Sequence, residues 1–180
     1  MVIAAKGFNT YLRMTLMLAL FAGCQSPEKR ASNRLSTLNV HLETTHELPD
    51  HEQVVSVSRE HPFTLNVQKS PFLTQNDIEQ ASVVDAVGGF ALRLQFDHQG
   101  TWLLEQSSAG NIGKHFAIFS QFANPLDEKH DEARWLAAPR INHRIHDGVL
   151  IFTPDASREE AEQIAQGLNN LAKKLKKKML

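Results

Sequence analysis

A single cysteine stands in the 180 residues. An intramolecular disulfide is therefore excluded, and so is a zinc site built from thiolates, because each needs a second thiol. Charge of either sign is not in excess: 19 Lys and Arg against 20 Asp and Glu give a formal net charge of -1. That balance lacks the positive field with which a dedicated nucleic-acid binder neutralises phosphates, so no nucleic-acid partner is expected. Beyond residue 24 no apolar run reaches the about 20 residues that a membrane-spanning helix requires. No G-x-S-x-G elbow and no phosphate-cradling loop occurs either, which leaves nucleophilic and nucleotide chemistry without a visible carrier. What is present is ordinary: 42% hydrophobic and 22% charged residues, enough for one globular core and too ordered a composition for a collagen-like or disordered chain.

The one cysteine has a specific setting. Lys6 and Arg13 are the only charged residues before Glu28, and the apolar run Met14 to Gly23 follows them. A positive flank, a short apolar run and small residues describe an export signal, expected over residues 1–23 and removed after export. The run is about half the length needed to span a bilayer. Phe21-Ala22-Gly23-Cys24 is similar to a bacterial lipobox, with Phe21 where leucine is usual, and it identifies Cys24 as the expected lipidation site. An ordinary cleavable signal with an incidental cysteine is the alternative. Each buried acyl methylene contributes about 0.8 kcal/mol, so a multiply acylated Cys24 would hold the domain on a membrane. Gln25 is similar to the residue found there in lipoproteins sorted to an outer membrane, whose inner-membrane counterparts carry an acid. Without Lys6 and Arg13 the 19 basic residues become 17 against 20 acids, a charge of -3.

Residues 24–60 read as a polar tether, with short strands at Thr37–Leu42 and Val54–Val57. The folded domain is expected over 61–180. Phe63, Leu65 and Val67 alternate with polar residues in strand rhythm, and Thr74 with Asp77 predicts a short helix to about Ala81. Phe90, Leu92, Leu94 and Phe96 mark a central strand, and Asp97 caps a helix through Trp102 that ends before Gly110. Phe116–Phe119 reads as an internal strand. Trp135–Ile141 reads as another, with Pro139 at an edge or bulge, and Val149–Phe152 as a hairpin return onto it. The final helix is set by the capping box of Ser157 and Glu160 and by an apolar face of Ala161, Ile164, Ala165, Leu168 and Leu171. Acids at its start and Lys173, Lys174 and Lys176 to Lys178 at its end match the helix dipole. The fold class is α+β, a two-layer ferredoxin-like sandwich with an antiparallel sheet and the helices on one face.

Five blocks in order resemble the head region of the first periplasmic domain of SecD, from the bacterial SecD/SecF export family. They are Lys69 to Ile78, Phe96 to Gly100, Asn111 to Ile118, Leu136 to Ile141 and Ser157 to Ala161, together covering about Val67 to Ala172. The physical role of each block is structural, since none presents an acid-base pair. What the resemblance implies is a fold, and a place in or beside protein export. SecD also carries a bundle of membrane helices that this chain lacks after Cys24, so it is not a motor by itself. The family's glycine-rich segment is here reduced to His143-Arg144-Ile145-His146-Asp147-Gly148.

Nine histidines raise a metal site. His143 with His146, or His41, His46 and His51 near Glu43 and Glu47, are the candidates. A three-residue step in a strand turns the first pair to opposite faces, and the others sit in the tether, so neither metal nor any other cofactor is expected. The lysine-rich end reads as a solvated helix terminus rather than a lipid site. Trp102 and Trp135 read as core or sheet-covering side chains. Two functions remain: a non-catalytic module tethered to the membrane through Cys24 that binds another protein, and a metal-dependent or hydrolytic envelope enzyme.

Overall fold

The computed structural model describes residues 34–45, 50–124 and 130–179; the signal segment, Cys24, His46 and Glu47 lie outside them. In chain order the elements are β1 (Thr37–Leu42), β2 (Glu52–Val57), β3 (Phe63–Gln68), β4 (Leu73–Thr74), a 3-10 turn (Gln75–Asp77), β5 (Ile78–Ala86), β6 (Gly89–Phe96), α1 (His98–Gly110), β7 (Phe116–Ala123), β8 (Asp131–Ala137), β9 (Val149–Phe152) and α2 (Arg158–Met179). The α+β class is as expected, and every ladder is antiparallel. The strands are divided, where a ferredoxin-like sandwich has one sheet. The order β4-β1-β7-β8 makes one sheet, β5-β6-β9 a second, and β2-β3 stands as a hairpin.

Both strands expected within residues 24–60 are present, and the first is interior. β1 lies between β4 and β7, where Leu38 and Val40 are fully buried. Helix α2 packs on β5 and also touches β1 and β7, so Ile164 and Leu168 share one core with Leu38, Ile118, Leu92 and Leu94. Burying each such side chain contributes about 1.5–3 kcal/mol. The β2-β3 hairpin forms a separate apolar cluster, in which Val55, Val57 and Val67 meet Ala117 and Trp135.

All three predicted caps form. The Asp97 carboxylate accepts the Gly100 N–H at 2.8 Å. Thr74 and Asp77 make the reciprocal box, and Ser157 donates its N–H to Glu160 at 2.7 Å while its hydroxyl accepts the Glu160 N–H at 3.2 Å.

Several expectations are corrected. The helix expected from Thr74 to Ala81 is a single 3-10 turn, because Ile78 to Ala86 pairs with β6 through a hairpin at Val87-Gly88. The strand expected at Trp135–Ile141 begins earlier, at Asp131, and its ladder ends at Ala137. Past that point Pro139 brings no N–H to the ladder. The chain still runs beside β7's approach, with Phe116 N–H on the Pro139 carbonyl at 3.0 Å and Ile141 N–H on the Lys114 carbonyl at 2.8 Å. β9 returns onto β6, not onto that strand. Trp102 is not a core side chain: it is 58% exposed on α1.

Candidate functional site

The two main sheets approach each other along a seam, between residues 136–140 and β9. Antiparallel ladders alternate, so every second residue of an edge strand turns its N–H and C=O away from its partner. In β9 the bond from Phe96 N–H to the Gly148 carbonyl, at 2.9 Å, fixes which residues those are: Leu150 and Phe152 face β6, while Val149 and Ile151 face outward. On the other wall, the bonds at Pro139 and Ile141 leave Ala138 and Arg140 facing outward.

The walls join once, where Asp155 N–H donates to the Leu136 carbonyl at 2.7 Å. Continuing that antiparallel register would set Thr153 opposite Ala138 and Ile151 opposite Arg140. Those rungs are not made. Among the described residues nothing pairs with the outward backbone groups of Arg140 or Ile151. The walls instead diverge into two clefts that meet at Pro139. The one nearer the join, about 450 Å³, is lined by Val57, Phe63, Phe152 and Pro154 and also by Glu60, His61 and Asp155. The wider one, about 510 Å³, takes in residues 139–147 and Val149 to Ile151.

The opposite edge of the second sheet is closed. There the Asn169 side chain of α2 donates to the Ala81 carbonyl and accepts its N–H, both at 2.8 Å, as a neighbouring strand would. At Ala81 the helix therefore takes the place of a neighbouring strand, whereas Ile151 on the other edge has no such partner among the described residues.

The join is held by charge. Arg134, on β8, reaches the Glu160 carboxylate at 2.6 Å and the Asp155 carbonyl at 3.3 Å, pairs with Glu132, and lies 5.0 Å over the Phe122 ring. Arg59 pairs with the Asp155 carboxylate at 3.2 Å and donates its backbone N–H to it at 2.8 Å. None of Arg134, Asp155 or Arg59 stands out in the sequence, because their partners are far away in the chain.

The histidine candidates separate. His143 and His146 lie in the loop of the wider cleft, both exposed. His115 instead donates from Nδ1 to Glu43 at 2.7 Å, which engages one of the expected metal-ligating acids. Among the described residues no group of three or more His, Cys, Asp or Glu side chains is placed to hold a metal ion. Of the expected lysine cluster, Lys176 pairs with Glu79 at 2.8 Å.

His41 is buried beneath Trp135, their ring centroids 5.1 Å apart, and its Nδ1 donates to the Gln68 carbonyl at 2.8 Å. Burial lowers its pKa below the ordinary 6.5, against the opposing pull of that carbonyl. The unfolded chain then takes up a proton that the fold refuses. His41 accordingly contributes its full stability above about pH 6.5, and the contribution falls as pH drops below that value toward the folded-state pKa. Urea unfolding across that range should show wild type losing stability more steeply toward acid than His41→Gln, which keeps a donor for Gln68; parallel pH profiles would refute the assignment.

The family model for the SecDF P1 head subdomain matches residues 51–172. A solved structure described as "Structure and function of a membrane component SecDF that enhances protein export" is 17% identical, with a TM-score of 0.52, over 94% of this chain and 71% of that one. A second, "Crystal structure of SecDF in Super-membrane-facing form", is 19% identical with a TM-score of 0.53, over 81% of this chain and 21% of that one. At these identities the likeness is one of fold. No curated protein matches the chain significantly.

Proposed function

This chain belongs to the SecDF P1 head subdomain family, and from that premise we propose that it is a non-catalytic, extracytoplasmic module that binds other polypeptides as an accessory to protein export or envelope assembly. It is held in the cell envelope by acyl chains on Cys24, on the periplasmic side of the outer membrane where the cell has one. The single observation that carries the binding role is the open seam. A sheet edge with unpaired N–H and C=O groups offers an extended chain its main-chain hydrogen bonds. Trp102 near the start of α1 and Ile112 just past its end are further exposed apolar side chains. No helix among the described residues is long and apolar enough to cross a membrane.

Two measurements test this reading. Cys24→Ser should move the chain from the membrane fraction to the soluble fraction, and intact mass should find the wild-type amino terminus acylated. A photo-crosslinking residue at position 151 or 102 should capture an exported polypeptide or a component of the export machinery in cells. An unmodified thiol on a soluble product defeats the anchoring, and silence from both crosslinking positions defeats the binding role.

A further inference from the structure

We propose that the seam is an insertion site for an extended, acidic polypeptide segment, paired with Arg140 on one side and Ile151 on the other; this rests on the reading of the domain as a polypeptide binder. The two walls run antiparallel, and Arg140 and Ile151 carry outward N–H and C=O groups at the same register, whereas the outward N–H of Val149 is taken by the Asp147 carboxylate at 3.1 Å. A strand laid between them is antiparallel to one and parallel to the other, and it draws hydrogen bonds from both. The proline of the seam does not obstruct this. Pro139 offers its carbonyl to Phe116, so its missing N–H falls on the inner side, and the outward positions Ala138 and Arg140 keep theirs.

The chemistry of the occupant follows from the lining. The wider cleft presents Arg140, His143, Arg144 and His146 with Asp147 as its one acid. Arg144 is engaged by Glu105 of α1. Arg140 donates Nε to the Gly113 carbonyl at 3.1 Å and has no carboxylate partner among the described residues. Lys114 stands on the adjoining turn. Carboxylates at the open end of the seam therefore meet unneutralised guanidinium, while the closed end, where Glu60 and Asp155 stand beside Phe63, Phe152 and Pro154, disfavours a carboxylate and takes an apolar side chain. β9 spans about 13 Å at strand rise, so the two features of the occupant lie about four residues apart.

The test uses the full-length chain in a Cys24→Ser background and a labelled peptide of about ten residues, with valines at one end and glutamates at the other. Anisotropy should show binding about 10-fold or more tighter than for the same peptide with lysines in place of glutamates, narrowing at about 0.5 M salt. Methylating alternate peptide nitrogens should abolish binding, and Arg140→Glu should reverse the charge preference. Ala138→Cys with Thr153→Cys should close the seam as a disulfide and block binding, with reduction restoring it and so showing that the domain stayed folded. Equal affinity for the two peptides, or indifference to methylation, overturns the proposal. So does tighter capture of phosphatidylglycerol vesicles through Arg140 with no peptide binding. If crosslinks to polypeptides persist from position 102 and vanish from position 151, the seam is wrong and the binding role survives; if both are silent, the binding role itself has failed.

Discussion

Gly167→Val should remove about 3 kcal/mol of folding stability and lower the thermal midpoint by about 6–12 °C. Gly167 lies in the interior of α2, where glycine ordinarily weakens a helix by about 1 kcal/mol relative to alanine. Here the missing side chain makes room for the approach of β1. A Cβ built at this position would stand 2.2 Å from the Ser36 hydroxyl, 2.6 Å from the Ser36 backbone nitrogen and 2.8 Å from its Cβ. The hydroxyl can rotate away, but the nitrogen belongs to the backbone that leads into an interior strand. Adding side chain therefore forces α2 off the sheet, and with it Ile164 and Leu168. Alanine should cost less, about 1–2 kcal/mol net, because its better helix propensity offsets part of the clash. Ser36→Gly should recover part of the valine loss, since it removes two of the three crowded atoms. Gly110→Ala is the control: nothing lies within 4 Å of that Cβ, and stability should hold or rise. Calorimetry on the four variants decides the matter, and an unchanged midpoint for Gly167→Val would refute the close approach.

Gly167 also shows where sequence reasoning stops. The apolar spacing of Ala161, Ile164, Ala165 and Leu168 locates the helix and the face it buries, because that information is local and periodic. The capping residues Thr74, Asp97 and Ser157 are legible for the same reason, each acting within three residues of itself. That Ser36 would be the atom group facing position 167 depends on a contact across most of the chain, and no local pattern encodes it. The cap at Thr74 promises a helix to about Ala81, which takes in the start of Ile78 to Ala86. Pairing with β6 through a tight hairpin outweighs that promise after a single turn. Trp102 misleads in the other direction, since its apolar character suggests burial while α1 turns only Gly100, Leu104 and Ser108 fully inward.

The candidate site was legible only as fragments. Pro139 and the short apolar strand Val149–Phe152 were visible, and so was the resemblance to the SecD head region. Their meeting was not, because β9 pairs with β6 across more than 50 residues, and among the described residues the chain leaving β9 is bonded to 136–140 through the Asp155 N–H alone. An edge is a property of topology, and the unpaired state of Ile151 follows from which strand is absent beside it.

Arg134→Leu should cost about 2–3 kcal/mol and loosen the seam before it unfolds the domain. The side chains of Arg134 and Glu160 are only 16% and 12% exposed, so removing the cation leaves a largely desolvated carboxylate held by the Ser157 N–H at 2.7 Å and by the more distant Arg59 guanidinium at 4.0 Å. The loss stays below that of a fully buried pair because water reaches both groups. Glu160→Gln should cost less, and the double variant should fall short of the sum of the singles by about 1–2 kcal/mol, as expected for groups in direct contact. Arg158 supplies the contrast. Its pair with Asp85 has side chains 46% and 87% exposed, and Arg158→Ala should change the pair's contribution by well under 1 kcal/mol. The location of Arg134 gives its loss a second consequence. It grips the Asp155 carbonyl while the Asp155 N–H makes the one bond between the walls, so the same residue anchors β8, the exit of β9 and the start of α2. Hydrogen exchange in Arg134→Leu should therefore quicken at Asp155 by far more than at Leu94 or Ile118 in the core. Uniform acceleration at all three amides would mean that Arg134 stabilises the domain as a whole and does not hold the closed end of the seam.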